Sequence, residues 1–91
     1  MRLVWTRQAL NDRRTIRAHI ARDNAAAALT LDHLFSEKVA QLTDYPGLGH
    51  PGRATGTREL KAHRNYVIVY DVQSNVVRVL RVLHAARQWL A

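Results

Sequence analysis

Hydrophobic positions recur along this chain with two different periods, and the change between them divides it. From about residue 6 to residue 42 the apolar side chains come at steps of three and four. Ala9, Ile16 and Ile20, joined by Leu10, line one side of a first segment, with Arg7, Arg13, Arg14 and Arg17 mostly on the other. Ala28, Leu31, Phe35, Val39 and Leu42 form one stripe along a second. This spacing belongs to helices with a single buried face. Thr6 stands where its hydroxyl can cap the first helix, which is expected to run to about Arg22. Asp23 and Asn24 punctuate the chain before the second. Two antiparallel helices joined by a tight turn follow.

Beyond residue 56 the period becomes two. Tyr66–Val72 and Val76–Leu83, rich in Val, Ile and Tyr, read as strong strands joined by a short hairpin turn at Gln73-Ser74-Asn75. Arg58–His63 reads as a weaker strand, and residues 2–5 as a short one ahead of the first helix. All four glycines and both prolines fall between residues 46 and 56, so that segment is expected to be a connecting loop. The predicted order is β-α-α-β-β-β in one domain spanning residues 1–91. The class is α+β, a helical hairpin packed on a small, twisted, mostly antiparallel sheet. Simple alternation along Val76–Leu83 puts Arg78, Leu80 and Val82 on one face and Val77, Val79, Arg81 and Leu83 on the other. Arg78 and Arg81 are therefore expected to point to opposite faces.

Charge adds a partner to this picture. Fourteen Lys and Arg, twelve of them Arg, stand against seven Asp and Glu, for a net charge of +7. Residues 46–91 carry +5 of it, because Glu59 and Asp71 are their only acidic side chains. Such a surplus implies an acidic partner, and arginine suits bidentate contacts to phosphate or carboxylate. The chain has no cysteine, which excludes disulfides and thiolate metal sites. His19, His33, His50, His63 and His84 are scattered without metal-ligand spacing, so neither a metal nor a cofactor is expected. No apolar run reaches the length of a membrane span and no signal-peptide core follows Met1, so a soluble cytoplasmic protein with no membrane partner is expected.

Candidate chemistry gathers near the end of the last strand. His84 and Arg87 follow where that strand stops, a place where a rigid sheet can present open functional groups. An imidazole can exchange a proton near neutral pH, and two cationic groups can cradle a phosphate. Arg58, Lys61, Arg81 and Arg87 are candidate contacts to nucleic acid or another target. Each has an ordinary alternative. His84 can bond to backbone at a sheet edge, Arg87 can form a surface ion pair, and Arg58, Glu59, Lys61, His63 and Arg64 can be a solvated edge strand. Tyr66, Tyr70 and Trp89 can stack on bases, although strand tyrosines usually pack in cores. From the residues alone the chain reads as a basic α+β binding domain with a candidate site at 58 and 84–87.

Several strings, in this order, resemble the RelE/ParE superfamily of toxins. They are Trp5…Ala9-Leu10, Asp23-Asn24 with the alanine run after it, Leu42…Tyr45-Pro46…Gly49 and Gly56-Thr57-Arg58-Glu59-Leu60. Tyr66-Val67-Ile68-Val69-Tyr70 and Arg81-Val82-Leu83-His84-Ala85-Ala86-Arg87-Gln88-Trp89 complete the set. The resemblance covers almost the whole chain and implies the fold already predicted. It implies a toxin that inhibits bacterial growth and is neutralised by a cognate antitoxin protein, typically through an acidic segment. Two targets are known for such folds: DNA gyrase in the ParE-like branch, and ribosome-bound mRNA in the RelE-like branch, which cleaves it without metal. In the nuclease branch Arg58 and Arg87 match basic residues of the catalytic set. Val67 stands where that branch usually has an arginine, and no tyrosine follows Tyr70. His84 would then serve as the acid, with Arg58 and Arg87 binding phosphate. The resemblance accordingly favours a gyrase-directed toxin. An mRNA endoribonuclease is the alternative, and a non-toxic nucleic-acid-binding module the third reading.

Overall fold

Caps set the two helices where the periodicity places them. The computed structural model describes residues 1–86. After strand β1 (Arg2–Trp5), the Thr6 hydroxyl accepts the Ala9 backbone N–H and opens helix α1 (Arg7–Ala21). The Asn24 side chain accepts the Ala27 N–H in the same way and opens α2 (Ala25–Gln41). Each cap satisfies a donor that a helix start leaves without a partner. Three residues join the two helices, which pack on each other as an antiparallel hairpin. Across the hairpin the Arg13 guanidinium donates to both carboxylate oxygens of Asp32, at 2.9 and 3.0 Å, and to the Ser36 hydroxyl. The same guanidinium lies 4.6 Å over the Trp5 ring, tying the hairpin to β1.

Among the described residues the sheet has five strands. After the helices come β2 (His50–Pro51), β3 (Arg58–His63), β4 (Tyr66–Gln73) and β5 (Val76–His84), in the spatial order β1-β5-β4-β3-β2. Only β1 with β5 is parallel. Ser74 and Asn75 join β4 to β5 with φ of 51° and 63°, the two left-handed residues that a tight hairpin of native twist requires. The helices cover one face. There Phe35, Leu31 and Val39 from α2 and Ala9 and Ile16 from α1 meet Ala62, Tyr66, Ile68, Val79 and Val82 of the sheet. Phe35 meets the Tyr66 ring edge to face at 5.8 Å. Every residue of the predicted α2 stripe is buried.

Three expectations are corrected. Leu10, expected on the buried side of the first helix, is exposed. The segment 46–56 is not loop throughout, because His50 and Pro51 pair with Glu59 and Arg58 as a fifth strand. Pro51 is tolerated there because β2 is an edge strand, where a missing N–H need not leave a ladder bond unmade. The simple alternation along β5 also fails. The register slips where Val69 pairs with Arg81 but Tyr70 pairs with Val79, leaving one extra residue on β5. A bulge of this kind shifts every later side chain by one position. Val82 therefore packs with Val79 in the cluster against the helices, and Leu83, also buried, stands outside that cluster.

Candidate functional site

β4 and the bulge decide where the candidate residues go. Arg58 stands opposite Tyr70, and His84 stands opposite Tyr66, four residues away along the same strand. At the rise of an extended chain this separates the two positions by about 13 Å. The structure therefore does not gather Arg58 and His84 at one point. Arg87, like Trp89, lies outside the described residues.

Arg58 is occupied in holding the glycine-rich segment. Its guanidinium donates to the Gly47 carbonyl at 3.2 Å and twice to the Gly49 carbonyl. From the core side the fully buried Tyr70 hydroxyl donates to the Pro46 carbonyl at 2.7 Å and accepts the Gly49 N–H at 2.9 Å. Gly49 is required here because an added Cβ would come within 2.7 Å of the Glu59 carbonyl and 2.8 Å of the Tyr70 hydroxyl. Arg81 is likewise committed. It makes a forked pair with Asp12 of α1, at 2.8 and 3.0 Å, and Arg78 makes one with Asp71. Hydrogen bonding to Asp71 raises the Arg78 guanidinium above the ordinary arginine range, and hydrogen bonding to Asp12 does the same for Arg81.

His84 packs against Tyr66 with ring centroids 5.3 Å apart, and His63 lies 6.2 Å from the same ring on its other strand neighbour. Each imidazole accepts at Nδ1 a backbone N–H from two residues on, Asn65 for His63 and Ala86 for His84. A neutral ring that accepts at Nδ1 carries its proton on Nε2. Beside this cluster lies an apolar groove of about 500 Å³ between the helical hairpin and the β3–β4 turn, with His19 and His63 on its rim.

Lys61 has a different setting. Leu60 and Ala62 turn toward the helices, so Glu59 and Lys61 turn away from them, as do Val67 and Val69 opposite. On that open face a hollow of about 420 Å³ is lined by His50 and Arg53 from the β2 side, Glu59 and Lys61 from β3, Arg64 from the β3–β4 turn, and Val67 from β4. Glu59 is only 4% exposed, and its Oε2 accepts the Arg53 backbone N–H at 2.8 Å. Lys61 and Arg64 are exposed and form no ion pair among the described residues. The run Arg58–Arg64 carried a trace of this site in its charge. The hollow itself depends on β2, which lies in the segment whose glycines and prolines predict a loop. Among the described residues no three His, Asp or Glu side chains gather to hold a metal, and no helix is long and apolar enough to cross a membrane.

This arrangement of hairpin and sheet has close counterparts. The chain superposes on a structure of the chromosomal ParDE TA system from P. aeruginosa with a TM-score of 0.82 and 27% identity, covering 92% of this chain and 95% of that one. It is 39% identical to Y4kP of Sinorhizobium fredii over 97% of this chain and 92% of that protein. It is 36% identical to toxin RelE2 of Caulobacter vibrioides over 93% of this chain and 96% of that protein. Residues 3–89 match the family described as ParE toxin of type II toxin-antitoxin system, parDE. The chain belongs to that family, and so to the RelE/ParE superfamily that its ordered strings resemble.

Proposed function

We propose that this toxin arrests growth by acting on DNA gyrase and is held inactive by a cognate antitoxin. The observation that carries the choice of target is the fate of Arg58. Cleavage of RNA without metal needs an acid, a base and a phosphate clamp within reach of one reacting phosphate. Here the Arg58 guanidinium is spent on the Gly47 and Gly49 carbonyls, about four residues along β4 from His84. Val67 presents no charge, and the hydroxyl of Tyr70 is buried against Pro46. This dispersal favours a toxin that works by binding a protein target. The match to the ParE family supports the same choice. The surplus of positive charge supports an acidic antitoxin segment as the neutralising partner.

Purified toxin is expected to stop supercoiling by gyrase or to accumulate cleaved gyrase–DNA complexes, and antitoxin added first should prevent both. Supercoiling that continues at saturating toxin, in a preparation that still arrests growth when expressed, would overturn the gyrase reading.

A second reading has one observation in its favour. His84 and His63 flank Tyr66, which puts an imidazole at the strand end as the candidate acid of an mRNA endoribonuclease, with Arg58 and Arg87 holding phosphate. Codon-positioned mRNA cuts in a translating extract, abolished by His84→Ala or Arg87→Ala, are its signature. Intact mRNA during growth arrest eliminates it.

A further inference from the structure

We infer that the turn Tyr45-Pro46-Gly47-Leu48 is the anchor by which this toxin docks on its protein target, and that Arg58 is the positioning residue that braces it. The identity of that target rests on the gyrase reading. The turn closes where the Leu48 N–H donates to the Tyr45 carbonyl at 3.0 Å. That bond makes Tyr45 and Leu48 the first and fourth residues of a β-turn, with Cα atoms within about 7 Å of each other. Pro46 stands second, where its ring fixes the φ that the turn requires. Both end side chains stand in solvent, Tyr45 at 67% exposed and Leu48 at 49%. Among the described residues no large apolar side chain is more exposed than Tyr45.

The backbone of the turn, by contrast, is held from the sheet. The buried Tyr70 hydroxyl bonds to the Pro46 carbonyl and the Gly49 N–H, and the Arg58 guanidinium bonds to the Gly47 and Gly49 carbonyls. An apolar pair fixed before binding avoids the ordering cost that a loose loop incurs when it meets a partner. A tyrosine presented in this way has the form of an interface anchor. Charge decides the class of partner. Asp44 is the only charged side chain between Leu42 and Gly49, in a protein of net charge +7. The turn therefore repels a phosphate backbone or an acidic antitoxin segment, and the cations that attract them lie elsewhere. What it fits is an apolar cleft with a neutral or basic rim on a folded protein. Leu10 and Leu29 are also exposed, but they stand on separate helices among Arg7, Arg14 and Arg17.

The test titrates toxin into a gyrase supercoiling assay, beside antitoxin binding by calorimetry. Tyr45→Ser with Leu48→Ser should raise the half-inhibitory concentration about tenfold or more, while antitoxin affinity stays within about twofold. Both side chains stand in solvent, so the urea midpoint should not move. Leu10→Ser with Leu29→Ser removes exposed apolar surface from the helices instead and should leave inhibition within about twofold. Arg58→Met keeps both anchors yet should raise the half-inhibitory concentration about threefold or more. Arg58→Lys, which keeps a donor there, should recover part of that loss. Should the Tyr45 and Leu48 double variant prove unfolded by circular dichroism, Tyr45→Ser alone must still cost about threefold. Unchanged inhibition by the folded double variant overturns the inference. So does weakened antitoxin binding with inhibition intact, which makes the turn an antitoxin surface. Equal losses from the helix variant would show a general need for apolar surface and overturn it too. No effect of Arg58→Met on inhibition overturns the bracing role. Wild-type toxin that leaves supercoiling intact sinks the gyrase reading, and the turn is then scored by growth arrest on expression. Arrest lost in the double variant with antitoxin binding kept supports the anchor, and arrest that persists overturns it.

Discussion

Asp12 of α1 takes the place of a missing strand beside β5 and holds Arg81 there. β1 pairs with β5 only as far as Val79, so the ladder partner of Val82 is absent. The Asp12 carboxylate accepts the Val82 N–H at 2.9 Å while the Arg81 guanidinium forks onto both its oxygens. Thr6 fills the step between, its N–H on the Val79 carbonyl and its hydroxyl on the Leu80 carbonyl. One helix edge thereby completes the backbone bonding of the strand that carries His84.

Asp12→Ala is expected to lower stability by about 2 kcal/mol, since it orphans the buried Val82 N–H as well as Arg81. Arg81→Met should cost about 1 kcal/mol or less, because the Arg81 side chain is 38% exposed and its charge is screened. Urea unfolding measures both, and equal costs would show that the backbone bond contributes nothing. The raised Arg81 pKa means the guanidinium part of the pair is fully present below the ordinary arginine range and is lost only above the raised value. The melting-temperature gap between wild type and Asp12→Asn should therefore stay constant from about pH 7 to about pH 10.

Tyr70→Phe removes the hydroxyl that joins Pro46 to Gly49 and should cost about 1–2 kcal/mol. Hydrogen exchange at the Gly49 amide should accelerate more than global unfolding accounts for. Arg58→Met should speed the same amide while leaving the β3–β4 ladder protected. If Gly49 exchange responds to neither change, the two side chains do not hold the segment. Gly49→Ala is expected to be worse than either, because backbone and the Tyr70 ring must both move.

The β4–β5 turn offers a gain. Ser74 and Asn75 both sit at positive φ, where Asn-Gly is the favoured pair. Ser74→Asn with Asn75→Gly is expected to add about 0.5–1 kcal/mol without altering antitoxin binding. Ser74→Val should destabilise by a similar amount or more, because a β-branched side chain resists the left-handed region. Thermal melts settle the sign of both.

His84→Ala separates the two targets. With gyrase as target, growth arrest and supercoiling inhibition should persist within about threefold, a barrier change well under 1 kcal/mol. With mRNA as target, cleavage should fall by about a hundredfold or more, the usual contribution of a proton donor. Toxicity lost together with gyrase inhibition, in a folded variant, would contradict both expectations.

Local chemistry made most of the fold legible. Thr6 and Asn24 cap helices because their side chains reach donors three residues away, and the α2 stripe is buried because its spacing matches one turn. Tyr66–Gln73 and Val76–His84 are strands by composition, and the hairpin between them is local too. What the sequence could not display are relations between distant residues. Asp12 and Arg81 are 69 residues apart, and nothing in the spacing of either announces the other. The bulge that breaks the β5 alternation exists because strand pairing and helix packing together fix which valines face the core. Two residues, His50 and Pro51, carry too little pattern to read as a strand, yet pairing with β3 makes them one and builds the hollow beside Lys61 and Arg64. The sequence by itself determined every element but β2, the family and the surplus of positive charge. Tertiary structure alone decided which arginines spend that charge on carboxylates and carbonyls and which cations stay exposed, because ion pairing depends on proximity in space.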